Sequence, residues 1–138
     1  MSEGVKTAAG MIAGMRPQRQ PGTFVFVTIT AEDTRPEVVA DALATFQELE
    51  GLSLILPVAR ARAHGFDVAL PMCCITLTVH SALDGVGLTA AVASALAAHG
   101  IPCNMVAAFH HDHAFVSAQD GDKALDVLLA LQSSSDQA

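Results

Sequence analysis

The run Cys73-Cys74-Ile75-Thr76-Leu77-Thr78-Val79 alternates in character, whereas the segment after Gly87 follows a longer period. Alternation sends Cys73, Ile75, Leu77 and Val79 to one face and Cys74, Thr76, Thr78 and His80 to the other. That is the pattern of a half-buried strand whose threonine face meets water or a partner sheet. Leu88, Ala91, Val92, Ala95 and Leu96 recur instead at the spacing of one helix face, and Gly100 after His99 is a natural stop. A strand handing over to such a helix restricts this region to a layered fold, helix on sheet.

The rest of the second half extends that unit. Ile101 to Phe109 and Ala114 to Ser117 read as two further strands, with His110-His111-Asp112-His113 at the hairpin tip between them. Asp120 can cap a last helix striped by Ala124, Leu125, Leu128 and Leu131, before SSSDQA frays. From Cys73 the order is therefore strand, helix, strand, strand, helix, a ferredoxin-like βαββαβ unit that lacks its final strand.

The first half reads as helix (Thr7 to Met15), strand (Thr23 to Thr30), strand (Leu52 to Leu56), short helix (Val58 to His64) and strand (Phe66 to Leu70). The acidic stretch AEDTRPEVVADALATFQELE has a register that suits a helix from Pro36 to Phe46. Two helix ends, VARARAHGF and VASALAAHGI, look alike, as a duplication would leave them and as Ala-rich sequence leaves them by chance. His64 and His99, each before a glycine, read as C-terminal caps. A chain of 138 residues suits one ordinary domain or two small units sharing a core. The expectation is an α+β fold: two ferredoxin-like units packed together, 1–70 and 71–138, with antiparallel sheets, helices on one face, and each half supplying the strand the other lacks.

Composition excludes several function classes. With 51% hydrophobic and 15% charged residues the chain is a packed globule, not a disordered one. No apolar run approaches the roughly 20 residues that span a bilayer, and MSEGVKTAAG lacks a basic n-region and an apolar core, so no membrane partner and a cytoplasmic location are expected. A net charge of -7 argues against nucleic acid. Arg16, Arg19, Arg60 and Arg62 cluster only weakly and read as solvated. Cys73, Cys74 and Cys103 lack CxxC spacing and read as buried thiols in a reducing compartment.

Two stretches carry candidate chemistry. In His80-Ser81-Ala82-Leu83-Asp84-Gly85-Val86-Gly87-Leu88-Thr89 two glycines permit close backbone approach, and the N–H groups opening the next helix suit a small anion. The same glycines equally suit an ordinary turn. In the second stretch, a hairpin turning at His111-Asp112 would set His110 and His113 face to face, with Asp112 adding a carboxylate to a metal site. Only His80 and Cys103 are near enough in sequence to add to it, so the zinc constellation is incomplete. Ser81 beside His80 lacks a nucleophile elbow, and neighbours on a strand point opposite ways. No catalytic residue and no cofactor are expected.

The run ITLTVHSALDGVGLTAAVASALAAHGIPCNMVAAF resembles an ACT domain. More narrowly, VHSALDGVGLTAA, CNMVAAFHHDHAFV, ELEGLSLIL, FVFVTIT and MRPQ resemble a bacterial family of small proteins with tandem ACT-like domains. The resemblance implies a regulatory protein, not an enzyme, that binds amino acids or related metabolites and pairs sheets side by side in a homodimer. By position it makes Ser81, Asp84, Gly85, Val86, Gly87, Leu88 and Asn104 ligand-binding candidates: the turn through backbone N–H groups, Asn104 through its amide. In that family His111-Asp112-His113 is characteristic and an aromatic residue commonly stands at position 110, which makes Asp112 a turn residue. Two other readings remain open: a metal-binding protein using His110, Asp112 and His113, and a protein–protein oligomerisation module with an exposed sheet edge.

Overall fold

A computed structural model describes residues 7–136 apart from Ala31, Thr34 and residues 80–83. In chain order the elements are α1 (Ala8–Ala13), β1 (Pro17–Arg19), β2 (Phe24–Ile29), α2 (Pro36–Ala40), β3 (Ala44–Gln47), β4 (Leu52–Pro57), α3 (Val58–Ala63), β5 (Met72–Leu77), α4 (Leu88–Ala98), β6 (Asn104–Ala107), β7 (Asp112–Ser117) and α5 (Gly121–Asp136). They form two compact units, one of Met1–Gln20 with Cys73–Ala138 and one of Pro21–Met72. The division is not sequential: the first twenty residues fold with the C-terminal half, and the second unit is an insertion between β1 and β5.

In the first unit the strands run β1-β5-β7-β6. β1, a three-residue strand with no counterpart in the sequence expectation, pairs antiparallel with β5 through Pro17↔Leu77, Gln18↔Thr76 and Arg19↔Ile75. The strand missing from the C-terminal βαββαβ pattern is thus supplied by the N-terminal arm. The core joins Ile75 and Leu77 of β5, Ala114 and Val116 of β7, Leu88, Val92 and Leu96 of α4, Ala124 and Leu128 of α5, and Met11, Ile12 and Met15 from α1 and its exit. Each fully buried leucine here contributes about 1.5–3 kcal/mol relative to an exposed one.

In the inserted unit the order is β2-β4-β3, all antiparallel, with Met72 bridging Phe24 on the far side of β2. Val25, Ile29, Leu54 and Leu56 pack under Val38 of α2 and Ala61 of α3, so both helices cover one sheet face. The opposite face leaves Phe26 and Phe46 exposed.

The expected helix from Pro36 to Phe46 ends early, capped at Asp41, and Ala44–Gln47 turns into the edge strand that pairs Ala44↔Ile55 and Gln47↔Leu52. Phe66–Leu70 is not a strand; the Ala69 N–H donates to the Asp67 carboxylate at 2.9 Å in a local turn. Asp120 lies in a 3-10 turn, Ala118–Asp120, instead of capping α5. That helix continues through the serines to Asp136, with the Ser134 hydroxyl donating to the Ala130 carbonyl.

Each unit repeats one plan: strand, helix, a four-residue and a six-residue strand joined by a hairpin, then a helix entered directly. α2 corresponds to α4 and α3 to α5. VARARAHGF belongs to α3 and VASALAAHGI to α4, so the two similar helix ends occupy non-equivalent places. Their likeness comes from shared stop chemistry: a C-cap histidine followed by Gly65 or Gly100 at positive φ.

Candidate functional site

In the inserted unit the end of β2, the start of α2 and the β3–β4 hairpin enclose a cleft of about 610 Å³, open to solvent. That size suits a small metabolite. Local rules build it. Pro36 at the first helical turn starts α2, and the Asp33 N–H closes a turn onto the Thr30 carbonyl at 3.0 Å. The hairpin closes through the Glu48 N–H to the Gly51 carbonyl at 2.9 Å. Gly51 has φ 152°, and a Cβ there would run into the Ile29 carbonyl oxygen. A glycine is what lets the hairpin tip seat against the end of β2.

The lining divides by chemistry. Ile29, Pro36, Val39, Ala40 and Leu52 are apolar; Thr30 and Gln47 are polar; Asp33, Arg35 and Glu48 are charged. Arg35 is held from behind. Its Nη2 donates to the His64 carbonyl at 3.0 Å and its guanidinium lies 5.1 Å from the Phe66 ring centroid. His64 is itself tied through Nε2 to the Asp41 carboxylate at 2.8 Å, so the C-caps of α2 and α3 are joined behind the cleft. Glu48 accepts a short hydrogen bond from the Ser53 hydroxyl.

The residues singled out in the sequence lie in the other unit. Ser81 is outside the described residues. Asp84 and Val86 are exposed, Gly87 is the N-cap of α4 with φ 106°, and Leu88 is buried in the core. A Cβ on Gly87 would come within 2.7 Å of the Ala8 Cβ, so this glycine serves the contact with α1 and a valine there disturbs packing. Asn104 is exposed and opens β6 opposite Phe115.

The histidine hairpin turns at Ala108–His111, one loop earlier than a turn at His111-Asp112, closed by the Ala108 N–H to the His111 carbonyl at 3.0 Å. His113 is therefore paired with Val106, not with His110. The exposed His110 ring meets Phe109 edge-on at 5.0 Å. Among the described residues no group of three or more His, Cys, Asp or Glu side chains is placed to hold a metal ion.

His113 instead completes a polar network. Gln20 Nε2 donates to Thr76 Oγ1 at 2.9 Å, and Thr76 Oγ1 lies 2.9 Å from His113 Nδ1. Thr76 is 5% exposed, so the threonine face of β5 is buried, not bathed in water. Burial lowers the His113 pKa below its usual value, His111 pushes the same way and Asp112 opposes. Burial raises the thiol pKa of Cys74 and of Cys103.

A ferredoxin-like unit repeated in tandem is the architecture of a ligand-binding regulatory module. Sequence profiles of the ACT domain match residues 3–72 and 70–130, and the chain belongs to that family. A Vibrio cholerae protein of unknown function, described as a possible transport protein, is 38% identical over 88% of this chain and 92% of its own, with a TM-score of 0.78. An Agrobacterium tumefaciens protein is 22% identical over 84% of this chain and 87% of its own, at TM-score 0.67. The regulatory subunit of aspartate kinase from Thermus flavus shares the fold at 7% identity, 83% and 95% coverage and TM-score 0.56. No curated protein matches the sequence. ACT domains are regulatory, not catalytic, and no described helix is long and apolar enough to cross a membrane.

Proposed function

We propose that this protein is an amino-acid sensor whose ligand occupies the cleft between β2, α2 and the β3–β4 hairpin. The observation that carries this reading is the cleft's lining, in which two carboxylates and a buttressed guanidinium border an apolar wall. An amino acid offers the matching ammonium, carboxylate and side chain. The turn at Asp84, Gly85, Val86, Gly87 and Leu88, which leads into α4 as Asp33 and Arg35 lead into α2, is proposed with Ser81 and Asn104 as a second, weaker contact surface. Three free cysteines support a reducing, cytoplasmic location.

The working form we propose is a homodimer. β3 is an edge strand pairing only with β4, and Leu43, Phe46 and Leu49 on or beside it are exposed. An apolar edge without lysine or proline invites pairing with another copy.

Thermal unfolding against the twenty amino acids tests the sensor. A ligand that binds only the native state stabilises it by about 2.7 kcal/mol at a hundred times its dissociation constant. Val39→Arg, at an exposed position of α2 lining the cleft, should abolish the shift, and Asn104→Ala, on the weaker surface, should reduce it far less. The reverse outcome moves the site to the Asp84–Leu88 turn. No shift with any amino acid refutes the reading.

A further inference from the structure

Resting on that reading, we infer that the cleft selects an amino acid with an uncharged aliphatic side chain. Three observations combine. The cleft holds one cation, Arg35, and two anions, Asp33 and Glu48. The Arg35 guanidinium is held by the His64 carbonyl at 3.0 Å and the Phe66 ring at 5.1 Å, so little rotamer freedom is left to lose on binding. A guanidinium has five N–H donors in a fork that fits a carboxylate, and the bond to His64 uses only Nη2. The remaining donors suit a ligand carboxylate, and the two acids suit an ammonium.

With the α-groups matched, the side chain meets Ile29, Pro36, Val39, Ala40 and Leu52. An acidic or basic side chain set there would cover apolar wall without gaining a partner beyond the groups already matched to the ligand's ammonium and carboxylate. Among aliphatic side chains, one methylene changes affinity by about 10–200-fold in an apolar pocket. The cleft therefore favours an uncharged side chain and ranks aliphatic ones by size.

Calorimetric titration tests this with leucine, isoleucine, valine, alanine, aspartate and lysine, together with 3-methylbutylamine and 4-methylpentanoate. These last two are leucine without its carboxylate and without its ammonium. Leucine, isoleucine or valine should bind most tightly, and aspartate, lysine and both truncated analogues at least about a hundredfold more weakly, as befits charged groups left unpaired. Arg35→Gln should bring leucine and 3-methylbutylamine to within about tenfold of each other by removing the carboxylate's partner. Should Arg35→Gln fail to fold, Asp33→Asn keeps the His64 contact and should bring leucine and 4-methylpentanoate together instead. Aspartate or lysine binding as tightly as leucine overturns the aliphatic assignment while leaving an amino-acid sensor in place. Binding of no amino acid at all removes the sensor reading itself.

Discussion

Thr76 holds its neighbours together. Gln20 Nε2 donates into its oxygen, which also lies 2.9 Å from His113 Nδ1, so one hydroxyl ties β5 to both the N-terminal arm and β7. Because the folded state holds His113 below the ordinary value of 6.5, its contribution to stability is complete above pH 6.5. As pH falls through that value the unfolded chain takes up the proton first, and the contribution is lost down to the depressed folded pKa. Urea midpoints should therefore drop between pH 7.5 and pH 5, and His113→Gln should flatten that drop relative to the parent. An unchanged pH slope in the variant would exclude His113 as the source. Gly51 sets a second residue-scale expectation: Gly51→Ala forces a side chain into positive φ and against the Ile29 carbonyl, at a cost of at least about 1–3 kcal/mol in urea denaturation.

Among the elements, the N-terminal arm is the most dependent on single contacts. Gln132 on α5 accepts from the Arg16 N–H at 3.1 Å and donates to the Ala13 carbonyl at 3.1 Å, clamping the link between α1 and β1 from both sides. Gln132→Leu keeps the volume and removes both bonds, which should cost about 1–3 kcal/mol and speed hydrogen exchange at Arg16. Asp122→Asn, which breaks an exposed ion pair with Arg19, should change stability little. Most elements were legible in the sequence, β2, β5 and α4 by a strong period, and α1, β4, α3, β7 and α5 as shorter apolar runs between breaks. β1 was not, because three residues carry no alternation to read. Ala44 to Phe46 favours a helix locally and becomes strand because β4 offers it a ladder of partners. The hairpin tip was misplaced by the lure of His110 facing His113, where the ladder pairs His113 with Val106.

At the scale of the whole molecule, the family and the tandem plan were visible in the second half of the chain, and attention to its Gly-rich turn drew the candidate site there. The cleft lies in the insertion, where ELEGLSLIL carries the family resemblance but neither it nor TITAEDTRPE has the spacing of a binding motif. What makes the place is the meeting of the β2–α2 corner with the β3–β4 hairpin, which spacing does not report. Assembly gives the test at this scale: Phe46→Lys, on the exposed edge strand, should shift the species seen by light scattering from dimer to monomer without lowering the melting temperature of the monomer. A parent that is monomeric at high concentration would exclude the edge as an interface. The order of the units along the chain bears finally on how the protein is made. α1 and β1 precede the inserted unit in the chain, yet Leu128 and Gln132, which hold them, follow it. The inserted segment, with a core of its own, can condense while the nascent arm still waits for its helix.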